Sequence, residues 1–137
     1  MAKYIQTSGL KEKTYPNVGD KLYLRQFTGN DYVDMVKRPY TVIGVSKGKV
    51  LVQECELVWP IYHCSNDGHP DYDRKELEGK RVAFFDTMPE SIIEDKNGRI
   101  EELTWHNKRK MWGTPGREAD YPEYAIFGEW KYFPYLN

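Results

Sequence analysis

The chain has 137 residues and carries 20 Lys and Arg against 21 Asp and Glu, which gives a net charge of −1. This length suits a single domain over residues 1–137, with a hydrophobic core that needs neither disulfides nor metal. The balanced charge excludes the basic excess of duplex-DNA binders and the strong acidity of nucleic-acid mimics. A charged partner must therefore be bound by a local patch.

The sequence gives no sign of export or membrane insertion. Its first residues lack the apolar run of a signal peptide, and no stretch approaches the roughly eighteen apolar residues of a membrane span. We therefore expect a cytoplasmic protein without membrane contact. In that compartment Cys55 and Cys64 are expected to be reduced thiols.

Strand patterns dominate the first half of the chain. Residues 21–27 alternate apolar and polar side chains, which predicts a first strand. Two β-branched runs at 40–45 and 49–53 flank residues 46–48, the spacing of a tight hairpin. The long loop before this hairpin has room for one helical turn at 31–37 and is a candidate binding element.

The middle of the chain predicts an irregular excursion. Residues 59–81 mix Pro, Gly, Ser, Asn and Asp, and residues 72–78 suit a short helix with Gly79 as its C-cap.

A three-stranded meander is predicted next, from runs at 92–95, 100–105 and 111–112. Asn97-Gly98 is the strongest short hairpin signal, because a type I′ turn needs positive φ at both central positions. Residues 106–110 form the second predicted turn, and we call residues 105–112, which include this turn, the tip.

The last seventeen residues hold seven of the chain's twenty aromatic side chains. Side chains of this size dominate core energetics, so we predict an aromatic C-terminal strand docked into the core. Its alternation places Tyr124, Ile126, Trp130 and Tyr132 on one face. The sequence therefore predicts a mainly β fold (β-rich α+β), in which an SH3-like partial barrel is extended by the meander and the aromatic strand.

Cations and stackable rings are interleaved at the tip, the combination that single-stranded nucleic acid binders use. A second basic cluster lies beside the first long loop, and the two clusters could form one patch in the fold. The alternative is that the tip is polar because it is exposed, and that its tryptophans pack in the core. The candidate binding residues are Lys37, Arg38, Trp105, His106, Lys108, Arg109, Lys110 and Trp112.

Two other residue sets have the chemistry of metal ligands but the wrong spacing. Cys55, His63, Cys64 and His69 supply the thiolates and imidazoles that zinc prefers, but they contain no Cys-x-x-Cys pair. The acidic loop at 66–73 is similar to a calcium loop but lacks its closing bidentate Glu. We expect no metal and no other cofactor.

Catalytic signatures are missing from the sequence. It contains no nucleophile elbow, phosphate-binding glycine loop or His-Glu-x-x-His motif. Asp86 and Glu90 could act as an acid–base pair, but they are explained more simply as turn residues. We therefore expect that the protein is not an enzyme.

Four sequence blocks carry a resemblance to known proteins: residues 17–21 (NVGDK), 37–42 (KRPYTV), 97–100 (NGRI) and 127–137 (FGEWKYFPYLN). The chain resembles small uncharacterised accessory proteins of phages and prophages of Gram-positive bacteria. None of the blocks is a chemical motif. The resemblance implies a protein that acts in the host bacterial cytoplasm by binding and blocking a host factor, such as a component of antiviral defence.

The leading hypothesis is a non-catalytic binding protein that acts on a host protein or a protein–nucleic-acid complex through loops on a β scaffold. One alternative is a single-stranded nucleic-acid-binding module that uses the tip. Another is a sponge that sequesters a nucleotide-like small ligand in an aromatic pocket. The sequence leaves open the identity of the partner and the formation of a homo-oligomer.

Overall fold

A computed structural model of the protein describes residues 13–64, 74–83, 88–115 and 121–134. The chain divides into two compact units. The first unit combines the residues up to Cys55 with those from Glu94 onward, and the second spans Glu56–Ile93. The single domain over residues 1–137 stays a prediction.

The secondary structure of the described residues is mainly β. The strands are β1 (Lys21–Gln26), β2 (Arg38–Ser46), β3 (Lys49–Glu54), β4 (Glu56–Val58), β5 (Ser91–Ile93), β6 (Ile100–His106), β7 (Met111–Gly113) and β8 (Glu123–Phe127). One short helix, α1 (Asp31–Asp34), and one 3₁₀ turn (Lys75–Leu77) accompany them. The predicted mainly β fold is confirmed.

The first unit is a closed antiparallel barrel in the order β1-β2-β3-β6-β7-β8. It closes because β1 pairs on its second edge with β8, where Leu22 lies opposite Phe127 and Arg25 lies opposite Tyr124. The barrel is SH3-like, as predicted, but it is complete where the sequence suggested a partial one. Closure removes the exposed strand edges that invite aggregation.

The core fills the interior of the barrel, because alternate residues of each strand point inward. Trp112 belongs to this core, and its indole Nε1 donates a hydrogen bond of 2.8 Å to the Thr14 carbonyl oxygen. Tyr15 and Trp105 pack against the buried cluster from its edge. The buried core residues are Leu22, Leu24, Tyr40, Val42, Val50, Val52, Leu103, Trp112, Ala125 and Phe127.

Several local predictions are confirmed. The first strand is present as β1, and β2 and β3 form the predicted hairpin, with Gly48 at a φ of +78° in its turn. Helix α1 lies within the predicted helical turn at 31–37. It begins after Asn30, whose side-chain oxygen accepts hydrogen bonds from the Tyr32 and Val33 amides and so caps the helix.

The predicted hairpin at Asn97-Gly98 is wrong. Strand β5 pairs with β4, so the meander is reduced to the β6–β7 hairpin. The Asn97 amide bonds to the Asp95 side chain, and a Cβ atom at Gly98 would lie 2.0 Å from the Glu54 carbonyl oxygen. Glycine is needed at position 98 because two backbone segments approach closely there. From the local sequence alone, such a glycine cannot be distinguished from the glycine of a hairpin turn.

The aromatic C-terminal strand is shorter than predicted. It is present as β8, and the chain leaves it at Gly128, whose φ is +116°. Trp130 then donates its indole N–H to a main-chain carbonyl of β2. The predicted shared face of Tyr124 with Trp130 and Tyr132 is therefore wrong. Residues 135–137 lie outside the described residues.

The second unit contains the two-stranded antiparallel sheet of β4 and β5 and the 3₁₀ turn. The turn occupies part of the helix predicted at 72–78, of which residues 72–73 are not described, and Gly79 follows it at a φ of +78°. An isolated bridge joins Ile61 and Arg81. Among the described residues, no helix is long and apolar enough to cross a membrane.

We predict that Gly98→Ala lowers the free energy of unfolding by about 2 kcal/mol, because its methyl group would overlap the Glu54 carbonyl. Gly44→Ala is the matched control, since a Cβ atom there meets only Leu51 at 3.5 Å, an ordinary contact. Urea unfolding followed by tryptophan fluorescence measures both. Equal stability of the two variants would contradict the close approach at Gly98.

Candidate binding face on the barrel

The two candidate tryptophans pack with the core of the barrel. Trp112 is only 2% exposed, and Trp105 packs edge-on against it with the ring centroids 5.5 Å apart. Both rings therefore contribute to internal packing, which agrees with the alternative interpretation that the tryptophans of the tip pack in the core.

Arg38 is separated from its sequence neighbour Lys37 because strand neighbours point to opposite sides. Its guanidinium forms two hydrogen bonds to the Glu123 carboxylate and lies 3.6 Å from a carboxylate oxygen of Glu54. Burial disfavours the charge, but Tyr40 and Glu123 outweigh burial and raise the pKa of Arg38. Arg38 is thus an internal ion-pair partner at one end of the barrel.

The outward side of β1 carries Tyr23 and Arg25, and Phe27 directly after the strand completes an alternation of ring, cation and ring. Arg25 lies opposite Tyr124 of β8, and continuation of the β1–β2 register beyond the Leu24–Arg38 pair brings Lys37 beside it. We call this surface the basic-aromatic face. It consists of Tyr23, Arg25, Phe27, Lys37, Arg109, Tyr124 and Lys131.

Cations lie over the rings throughout this face. The guanidinium carbons of Arg25 and Arg109 lie 4.2 and 4.8 Å from the ring centroid of Phe27. Arg109 is also 5.3 Å from the Tyr124 centroid, and the Lys131 ammonium is 5.6 Å from that of Tyr23. Contacts of this kind fix the direction of long, otherwise mobile side chains.

The tip is attached to the face through Arg109. Its Nη2 donates a hydrogen bond of 3.2 Å to the Phe27 carbonyl oxygen. The structure thus brings two sequence-predicted residues, Arg109 and Lys37, to opposite sides of one surface. Sequence reasoning missed Arg25 and Phe27 between them, although the alternation of ring, cation and ring over residues 23–27 was a usable signal.

The other tip residues contribute less to this face. Lys108 is exposed, and the Lys110 Nζ donates to the side-chain oxygen of Asn107 at 3.3 Å. His106 packs edge-on against Tyr124 at 5.0 Å. The buried Nε2 of His106 has no hydrogen-bond partner among the described residues.

Like charges crowd the basic-aromatic face. Burial, together with the charges of Arg25 and Lys131, lowers the pKa of Lys37. Asp34 lies near Arg25, but its carboxylate already accepts hydrogen bonds from Thr28 and Gly29. Desolvation favours the neutral carboxyl, but these hydrogen bonds and the charge of Arg25 together outweigh it and lower the pKa of Asp34. The Lys131 ammonium is paired with Glu129 at 3.1 Å. The other cations still give the face an excess of positive charge among the described residues, which an external anion would relieve.

The candidate metal and catalytic residues are mostly dispersed or not described. Cys55 is buried, and its Sγ lies 3.5 Å from the Thr41 hydroxyl. Within residues 13–64, 74–83, 88–115 and 121–134, no group of three or more His, Cys, Asp or Glu side chains could hold a metal ion. His69, the loop at 66–73 and Asp86 lie outside the described residues, and Glu90 pairs with Arg81 at 3.0 Å.

Comparison of the chain with protein-family models, curated proteins and solved structures gives no match. Function is therefore inferred from the residues of this chain.

We predict that Trp112→Ala costs about 3–5 kcal/mol of unfolding free energy, because it removes a buried ring from the core. Lys108→Ala, an exposed change two residues beyond the end of β6, should stay within about 0.5 kcal/mol of the unaltered protein. Thermal or urea unfolding measures both. A stable Trp112→Ala variant would show that the ring is not part of the core.

We predict slow alkylation of Cys55 in the native protein. Burial raises the pKa of the Cys55 thiol despite its contact with Thr41, so little reactive thiolate forms near neutral pH. In a Cys64→Ser background, iodoacetamide should modify Cys55 at least about tenfold more slowly in the folded than in the urea-unfolded protein. Mass spectrometry follows the reaction, and equal rates would contradict the buried position.

Proposed function

We propose that the protein is a non-catalytic binding protein whose basic-aromatic face docks on an acidic surface of a partner protein. The observation that carries the proposal is the pair of guanidinium groups, Arg25 and Arg109, held on the single ring of Phe27. Arginine on an aromatic support is a frequent centre of binding energy in protein interfaces.

The arrangement favours anion binding over base stacking. The face of Phe27 is occupied by two cations, and Tyr23 and Tyr124 are only 7% and 8% exposed. A nucleic acid base would have to displace these cations before it could stack on a ring. Carboxylates can instead bind the outer N–H groups of the guanidinium forks without any rearrangement.

Fixed cations also lower the cost of association. Ordering a long side chain at an interface costs about 0.5–1.5 kcal/mol, and Arg25 and Arg109 are already ordered by their ring contacts. A bound carboxylate would also favour the charged form of Lys37, whose pKa is lowered by burial and by the charges of Arg25 and Lys131.

The resemblance to phage accessory proteins supplies the biological setting of the proposal. The partner is then a protein of the host bacterial cytoplasm, or a protein–nucleic-acid complex, and a component of antiviral defence is the case that this resemblance favours. Blocking such a factor needs affinity and no chemistry, which agrees with the absence of a catalytic signature in the sequence.

We predict that Arg25→Glu and Arg109→Glu each abolish recovery of the partner when the tagged protein is used as bait in a lysate of the host bacterium. Lys47→Glu, the same charge reversal in the exposed β2–β3 turn, should recover the partner normally. Binding to the identified partner should weaken as salt increases, because the contact is between opposite charges.

Direct nucleic acid binding is tested with an oligothymidylate in fluorescence anisotropy. We expect no submicromolar binding of the free protein at about 0.15 M salt. Submicromolar binding that is lost in Arg25→Glu would assign the same face to single-stranded nucleic acid and would overturn the proposed protein partner.

A further inference from the structure

A second polar surface occupies one end of the barrel. In an antiparallel barrel, the carboxyl ends of β1 and β3 lie at the same end as the amino ends of β2, β6 and β8. The inward positions at this end carry polar side chains where the rest of the interior is apolar. These residues are Gln26, Arg38, Glu54, Glu101 and Glu123.

The opposite part of the interior is closed by aromatic rings. Tyr15 lies 5.2 Å from Trp112 between ring centroids, and its hydroxyl accepts a hydrogen bond of 2.9 Å from the Gly48 amide. Trp105 completes this packing. A ligand is therefore expected at the polar end, in keeping with the frequent location of ligand sites in the mouths of β-barrels.

The polar end contains a pocket of about 410 Å³. We call it the mouth pocket. Its volume is within the usual range for small-molecule sites. Its lining includes Gln26, Arg99, Glu101, Thr114, Tyr121 and Glu123.

The charges at this end do not balance. Arg38 is shared by two carboxylates, those of Glu54 and Glu123. Arg99 pairs with Glu101 at 3.1 Å and donates to the Tyr40 hydroxyl at 3.3 Å. Among the described residues of this end, two guanidinium groups thus face three carboxylates, an excess of one negative charge.

Free hydrogen-bond acceptors also line the mouth pocket. Gln26 donates its Nε2 to the Tyr121 carbonyl oxygen at 3.0 Å, which leaves its Oε1 without a partner among the described residues. Glu101 binds Arg99 through Oε1, and its Oε2 is similarly without a described partner. The exposed ring of Tyr121 stands beside these acceptors and can contact a cation through its face.

We propose that the mouth pocket binds a small organic cation that carries N–H donors, either a free guanidinium compound or the end of an arginine side chain. The cation lies between Glu101 and Gln26 and receives support from Tyr121. This site goes beyond the proposed docking function, because it points inward and selects a cation, whereas the basic-aromatic face points outward and selects an anion.

The experiment uses the full chain and methylguanidinium as the probe, followed by ¹H–¹⁵N NMR. We expect saturable shifts at the amides of Gln26, Glu101 and Thr114, with a dissociation constant of about 1 mM or below. Tetramethylammonium has the same charge but no N–H donor, so it should bind at least about tenfold more weakly.

Glu101→Gln should weaken methylguanidinium binding about tenfold or more, because it removes one of the three carboxylates at this end and keeps the shape of the side chain. Glu102→Gln is the matched control. Glu102 is the next residue of the same strand, points outward and also forms an ion pair, at 3.5 Å with Lys49. It should leave the affinity unchanged.

Gln26→Leu is an independent variant that removes the neutral acceptor, together with the hydrogen bond from Nε2 to the Tyr121 carbonyl oxygen. It should weaken methylguanidinium binding severalfold, and it tests the site if Glu101→Gln does not fold. Lack of saturation at about 10 mM methylguanidinium would overturn the proposal. So would equal affinity for tetramethylammonium, or equal effects of Glu101→Gln and Glu102→Gln. A loss of the protein partner in Arg25→Glu leaves all these outcomes unaffected, so the two proposals fail separately.

Discussion

The pairing of β1 with β2 on one edge and with β8 on the other is the constraint on which the barrel depends. It directs Leu22 and Leu24 into the core and places Tyr23 and Arg25 on the outside. Because side chains alternate along a strand, a shift of one residue in either pairing would exchange the core with the basic-aromatic face. Stability and the candidate binding surface therefore depend on the same register.

The interior of the barrel changes chemistry along its length. Buried aliphatic and aromatic side chains fill one part, and the Arg38–Glu123 ion pair occupies the other. The side chains of this pair are about one-quarter exposed, which reduces its desolvation cost relative to a fully buried pair. The geometry is favourable, since the guanidinium binds both carboxylate oxygens, and the pair links β2 to β8 across β1.

The basic-aromatic face combines two opposing effects. Ring contacts hold Arg25 and Arg109 close together, while burial and the neighbouring charges of Arg25 and Lys131 destabilise the charged form of Lys37. A surface that keeps like charges together at a cost to itself gains most from an oppositely charged partner. The rings beneath the cations contribute position rather than contact area, because they are largely covered.

The sequence by itself determined the local elements: β1, the β2–β3 hairpin, α1 and the core of the aromatic strand β8, because periodicity, capping and turn residues act between near neighbours. It could not determine which segments meet. Arg109 reaches Phe27 across 82 positions and Arg38 reaches Glu123 across 85, and only closure of the barrel brings them together. The same closure placed Trp112 in the core. At Gly98, a glycine required by the approach of a distant backbone carries the same local signal as a hairpin.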